Sequence, residues 1–444
     1  MHRATATGLV LALLVPSGAF AAEAAPSPPE PAELTRRLDA WARPFADAGH
    51  LSGTLLVARD DVVVYERSFG MASYELSAPN TPTTLFSVAS VAKPLTGIVA
   101  LQLLAEEALR PADPVSRWIP GFPRGDQLTV EHLLQHRSGL PHRVTTDAEE
   151  TVPHTAEDMA AFAARADLLF APGTADQYSS AGYSVLSRVL ELASGRPFPE
   201  LLVERVFAPA GAVHSLHADS RRLVPGRAES YLLTGSGLVN DPLRDLSFLV
   251  GAGSVLSTPR DLFAVLARLR SGGYGDTVRQ GLEREGGRYG WNGWTDGFRA
   301  FVDYHAAEEL TVIFAGNLRT GAVDRLREAV PRLAAGEDTG PPVVPASTPD
   351  PVPADRRPAL EGVYQLRPPA PDSEEELRFV GPGGADLELG GWPLIAVGED
   401  RLFSPSDYAV VRIVRRDDGS VEALAWEIPG GELRFPRVRE LASR

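Results

Sequence analysis

The sequence predicts an α/β domain carrying a mostly helical insertion, followed by a small all-β module. Three patterns carry that prediction. Strand-like runs stand near both ends of the first 336 residues, Thr54–Val57 and Val62–Arg67 at the front, Phe298–Tyr304 and Leu310–Phe314 at the back. The stretch between them, 110–290, mixes helical segments with Gly/Pro-rich loops. Beyond a Pro-rich linker the text turns into short strands and turns. Strands at both ends of a helical middle make one sheet covered by helices, because each apolar face must find a partner.

Taken in order, residues 33–48 read as an amphipathic helix, and Asp60-Asp61 as the turn of a hairpin between the first two strands. Residues 88–108 have the apolar density of a buried helix. Pro94 is tolerable there only in the first turn, where its missing N–H has no partner to lose, which places the helix start near Ser87 to Ser90. Residues 322–335 read as a closing helix. The linker covers 337–358 and separates the domain at 33–336 from a β module at 359–444. In that module Tyr408–Val414 and Val421–Ile428 flank Arg416-Asp417-Asp418-Gly419, a hairpin signal.

The N-terminus has the order of a signal peptide over residues 1–21. His2 and Arg3 precede an apolar run, Gly8–Val15, and a small-x-small site at Ala19-Phe20-Ala21. The run is too short to span a bilayer. Residues 22–32 form a Pro/Ala-rich lead-in. The expectation is export, to a periplasm or medium, without stable membrane insertion.

The net charge of -15 argues against nucleic acid as a partner, because phosphate attracts Lys and Arg. The chain has no cysteine, which removes disulfides, thiol nucleophiles and thiolate metal sites together. Its 43 basic residues include one lysine, Lys93. Arg replaces Lys on a surface but not as a base, since guanidinium stays protonated.

That lysine stands in Ser90-Val91-Ala92-Lys93. Positions i and i+3 share a helix face, so the hydroxyl and the amine point into one cleft. Serine attacks only after a neighbour takes its proton, and lysine can take it only if burial or nearby positive charge lowers its pKa. At a helix start the Ser90 N–H is also free to meet a developing oxyanion.

Four segments in order carry a family resemblance: Thr84–Lys93 (TLFSVASVAK), 128–141 (LTVEHLLQHRSGLP), 172–183 (PGTADQYSSAGY) and 251–262 (GAGSVLSTPRDL). They resemble the serine β-lactamase superfamily, in its branch of class C β-lactamases, family VIII esterases and D-aminopeptidases. The resemblance spans about residues 35–335. It implies an antiparallel sheet flanked by helices with a helical subdomain, Ser90 as nucleophile, Lys93 as base and Tyr178 as a partner sharing the proton. No cofactor and no metal is implied. The β module resembles the lipocalin-like barrels that follow some members.

Two departures bear on substrate. The second box reads Tyr178-Ser179-Ser180, where the family often has Asn third, so Ser180 offers a hydroxyl in place of an amide. The third box, K-T-G or H-x-G in the family, aligns with Trp291-Asn292-Gly293. Without its cation the site favours neutral acyl groups. Gly293 still permits close approach to the strand edge, and the Trp294 N–H is a second oxyanion donor by analogy. The expected partner is a small ester, amide or peptide, with carboxylic esters first, then D-amino-acid amides or peptidoglycan-like peptides, then β-lactams. A binding protein that has lost catalysis is the alternative of another class. Glu131, His132 and His136 offer two imidazoles at i, i+4 without a clear third metal ligand; His214, His217 and His305 read as packing or surface residues.

Overall fold

A computed structural model describes residues 28–440 apart from 296, 346–348, 351, 354, 366–373, 381–385 and 429–430. The signal-peptide reading and most of the lead-in lie outside the described residues. The central sheet has five antiparallel strands in the order Tyr289–Trp294, Arg299–His305, Leu310–Gly316, Gly53–Arg59 and Val62–Phe69. The first hairpin of the domain thus pairs onto the last strand, closing the sheet from both ends of the sequence.

Both faces of this sheet are covered, and side chains alternate between them. Leu55, Val57, Val312 and Phe314 pack on one face beneath the first helix, Pro31–Asp47, and the closing helix, Ala322–Ala334. Leu56, Ala58, Ile313 and Ala315 point the other way, into the core shared with the helical region. Two-sided burial explains why these strands read as nearly unbroken apolar runs. The first helix earns its place by spacing, since Leu34, Leu38, Ala42 and Phe45 fall on one face and are all buried.

Helix Ala92–Ala105 is buried almost all round, with Pro94 in its first turn. A short 3-10 turn, Ala89–Val91, precedes it. Ser90 therefore sits in that turn rather than in the α-helix itself. Ala89 has φ 46, a left-handed conformation costly for a residue with a Cβ.

The C-terminal module is an eight-stranded antiparallel barrel that curls until its first strand, Gly362–Gln365, meets its last, Gly431–Arg439. Leu360, Tyr364, Leu402, Val411 and Leu424 fill its interior. It is not tethered by the linker alone. Ile395, Phe403 and Tyr408 join Phe45, Phe314 and Val330 in one core. No helix among the described residues is long and apolar enough to cross a membrane.

His50 lies in that shared core, fully buried, with Nδ1 2.9 Å from the Tyr408 hydroxyl. Burial pushes its pKa down to about 4. An unfolded imidazole titrates at about 6.5, so between those values only the unfolded chain binds the proton. Stability present above about pH 6.5 is thus lost as pH falls towards 4, by about 1.4 kcal/mol per unit of pKa difference. Thermal melts across this range should show that decline, and His50→Gln should flatten it; an unchanged slope would remove His50 as a cause.

Candidate active site

Three loops and one helix end converge on Ser90. The helix Ala92–Ala105 delivers Lys93 one turn beyond it, and the amine lies 3.1 Å from Ser90 Oγ. Lys93 is 4% exposed, and burial lowers its pKa to about 7. Desolvation disfavours the ammonium, and among the described residues no carboxylate offsets it.

The amine has two further neighbours. It donates to the Ala252 carbonyl at 3.0 Å and to Ser180 Oγ at 3.1 Å. Gly251, at φ +76, makes the turn that aims this carbonyl, and a Cβ there would stand 2.4 Å from the Tyr183 carbonyl oxygen. A neutral amine keeps two N–H donors and one lone pair. With Ala252 and Ser180 taking the donors, the lone pair faces the Ser90 hydroxyl.

Tyr178 and Ser180 reach the site because Ser179 starts a helix between them. Its hydroxyl accepts from the Gly182 N–H at 2.9 Å, capping Ser180–Ser194, and donates to the Pro141 carbonyl at 2.9 Å. The Ser179 N–H donates to His136 Nδ1 at 3.2 Å. The cap throws Tyr178 outward, 44% exposed, with its ring 4.7 Å from Lys93 Nζ. Crowding around the phenol raises its pKa, partly opposed by a hydrogen bond with Ser90. The phenol therefore stays protonated at neutral pH, while the amine does not stay fully charged.

Opposite these groups runs the edge strand Tyr289–Trp294. One of its sides pairs with Arg299–His305 and the other faces the nucleophile turn. The approach is tight at Gly293. A Cβ there would lie 2.3 Å from the Val88 carbonyl oxygen and 2.9 Å from the Ser90 and Val91 nitrogens. A cavity of about 680 Å³ lies over the turn, lined by Ser90, Ser180, Ala252 and Trp294 among others.

A Beta-lactamase family model matches residues 38–337. The chain belongs to the Beta-lactamase family. It is similar to the putative penicillin-binding protein PbpX of Bacillus subtilis (strain 168), 28% identical over 285 residues that cover 61% of this chain and 72% of that one. Esterase EstB of Burkholderia gladioli is 33% identical over 199 residues, 40% of this chain and 50% of the esterase. Other relatives carry the names D-aminopeptidase and putative D-alanyl-D-alanine carboxypeptidase, and the chain spans about half or less of their length. The crystal structure of SurE superposes with a TM-score of 0.59 at 25% identity, covering 92% of this chain and 99% of SurE. That likeness extends through the barrel as well as the family domain.

The site thus brings together Ser90, Lys93, Tyr178 and Ser180, with the backbone of Gly293 and Trp294 facing them. The other residues of the third box lie elsewhere. Trp291 packs against the core beside Tyr289, ring centroids 6.0 Å apart, and is not among the cavity lining. Asn292 accepts from the Arg299 guanidinium at 3.0 Å and does not line the cavity either. Ser180, expected to meet substrate, lines the cavity and accepts from Lys93, which leaves its O–H free to donate. His132 caps a helix by accepting from the Thr129 N–H, and His136 holds the Tyr178–Ser179 turn. His217 is half-buried and desolvation pushes it down to about 4, while His214 binds Asp261; neither lines the cavity, nor does His305.

Sequence reasoning missed two groups. The Ala252 carbonyl is invisible as chemistry, because every residue has one. His142 lines the cavity with its ring 5.4 Å from that of Tyr178, and burial and Lys93 lower its pKa. Its place directly after Ser138-Gly139-Leu140-Pro141 was the available signal.

Proposed function

We propose that the chain is an exported carboxylesterase working through an acyl-Ser90 intermediate. The observation that carries this reading is the buried Lys93 amine, 3.1 Å from the Ser90 hydroxyl and lowered towards neutrality. Ser90 Oγ attacks the ester carbonyl carbon as Lys93 Nζ takes its proton. The carbonyl oxygen becomes an oxyanion held by the Ser90 and Trp294 N–H groups. The ester C–O bond then breaks, and the leaving alkoxide takes a proton through the Tyr178 phenol, which Lys93 resupplies. Water repeats the attack on the acyl carbon, the acid leaves, and Ser90 recovers its proton. Lys93 is the base in preference to Tyr178, because burial moves the amine down to about 7 and the phenol up from its ordinary value.

Esters rank ahead of peptides with a terminal carboxylate because the third box supplies no cation. Of the three arginines on the cavity wall, Arg143 and Arg244 share the carboxylates of Glu150 and Asp147, and Arg227 is the third. The charge of Arg143 and Arg244 is largely balanced before any substrate arrives. Amide cleavage is the next reading, favoured by the D-aminopeptidase relatives.

A fluorophosphonate probe should label the mature protein and fail on Ser90→Ala. A panel of p-nitrophenyl butyrate, nitrocefin and D-alanyl peptides should rank the butyrate first. Rapid nitrocefin cleavage beside negligible ester turnover would replace the esterase reading, and no labelling of the wild type would leave a binding protein.

A further inference from the structure

The cavity has two walls that the family domain does not hold by itself. One is the Trp294 indole. The Arg319 guanidinium lies 4.0 Å from its ring and 3.5 Å from the ring of Trp392, which stands on the barrel strand Trp392–Gly398. The two indoles are tilted 71° to each other with centroids 6.4 Å apart, so Arg319 sits in the angle between them. A guanidinium stacked on two aromatic faces is held more firmly than on one.

The second wall is the hairpin Tyr231–Thr234 and Gly237–Asn240. At its turn the Ser236 N–H donates to Asp386 Oδ1 of the barrel at 2.8 Å. At its other end Ser230, Asn240 and Leu243 line the cavity. Both walls therefore have an outer end on the barrel and an inner end at the substrate. The cavity lining there carries exposed apolar groups, Leu76 81% and Leu243 83% exposed, beside Trp294 and among polar residues such as Glu75, Asn240 and Asp241.

We propose that Trp392 and Asp386 are positioning residues through which the barrel sets substrate selectivity, favouring esters with a bulky apolar group. Among the described residues the barrel touches neither Ser90 nor Lys93, and it takes no part in the chemical step. It holds Trp294 and the hairpin at the spacing that a large apolar group fills. An acetyl ester meets the Trp294 backbone N–H but is too short for its indole and the hairpin, so small esters are indifferent to the barrel. The inference rests on the esterase reading above.

Truncating the chain in the linker is a poor test, because it would uncover Phe45 and its neighbours in the shared core. Point substitutions in the full chain avoid that. Trp392→Ala should lower kcat/KM for p-nitrophenyl octanoate by about fivefold or more, through KM, while kcat/KM for p-nitrophenyl acetate stays within about twofold. Trp392→Phe should restore most of the loss, since a phenyl face also takes a guanidinium. Asp386→Ala, at the hairpin's anchor, should shift the ratio in the same direction if Trp392→Ala fails to fold. Equal losses on both esters would mark a general effect on the fold and overturn the proposal, as would an unchanged ratio in folded variants. A wild type that turns over neither ester and takes no label at Ser90 removes the parent reading and this one with it.

Discussion

Lys93→Met should abolish turnover while leaving a folded protein that is more heat-stable than the wild type at neutral and acidic pH. The expected loss in kcat/KM is at least about a thousandfold, because a methionine cannot accept the Ser90 proton. The wild-type profile should rise with pH through about 7, where Lys93 loses its proton. Lys93→Arg should be as inactive as Lys93→Met, since guanidinium never becomes a base. That pair separates the need for a base from the need for a charge. The stability effect follows from linkage. In the unfolded chain the amine titrates at about 10.4, and in the fold at about 7. Stability is therefore lost as pH falls from about 10 towards 7, by an amount on the order of a few kcal/mol. Methionine removes that loss but leaves the Ala252 carbonyl without its donor, which returns about 1–3 kcal/mol. The thermal advantage of Lys93→Met should be visible at pH 6 and shrink by pH 10. Turnover within about tenfold of wild type in Lys93→Met would overturn the proposed mechanism.

Gly293→Ala should cost nearly as much activity without removing any reacting group. The added Cβ would meet the Val88 carbonyl oxygen at 2.3 Å and the nitrogens of Ser90 and Val91 at 2.9 Å. All three are backbone atoms of a turn already bent at Ala89, so they cannot swing aside as a side chain can. The edge strand must retreat, and with it the Trp294 N–H. A displaced oxyanion donor lowers kcat by about 10²–10³-fold, and the clash itself costs about 1–3 kcal/mol of stability. Steady-state kinetics beside a thermal melt would read both. Near-wild-type kcat in Gly293→Ala would show that the strand does not face the reacting carbonyl.

Much of this was legible in the sequence. The lone lysine, its spacing from Ser90 and the four ordered segments pointed to the family and to the residues that meet in the cleft. The strand runs were readable because burial on both faces writes itself as continuous apolar text. The third box shows where such reading stopped. Trp291, Asn292, Gly293 and Trp294 are consecutive in the chain, yet alternation along a strand sends their side chains in different directions. One packs in the core, one binds Arg299, one has no side chain and one reaches the cavity.

The sequence by itself determined which chemical groups exist and which local structures hold them: a hydroxyl and an amine one turn apart, and a serine cap that turns Tyr178 outward. These depend on neighbours a few residues away. Only the tertiary structure decided that Ala252 and Ser180 occupy the amine's donors, that burial brings it to about 7, and that Trp392 reaches the cleft through Arg319. Those are contacts between residues tens to hundreds of positions apart, and desolvation depends on everything packed around a group rather than on what precedes it in the chain.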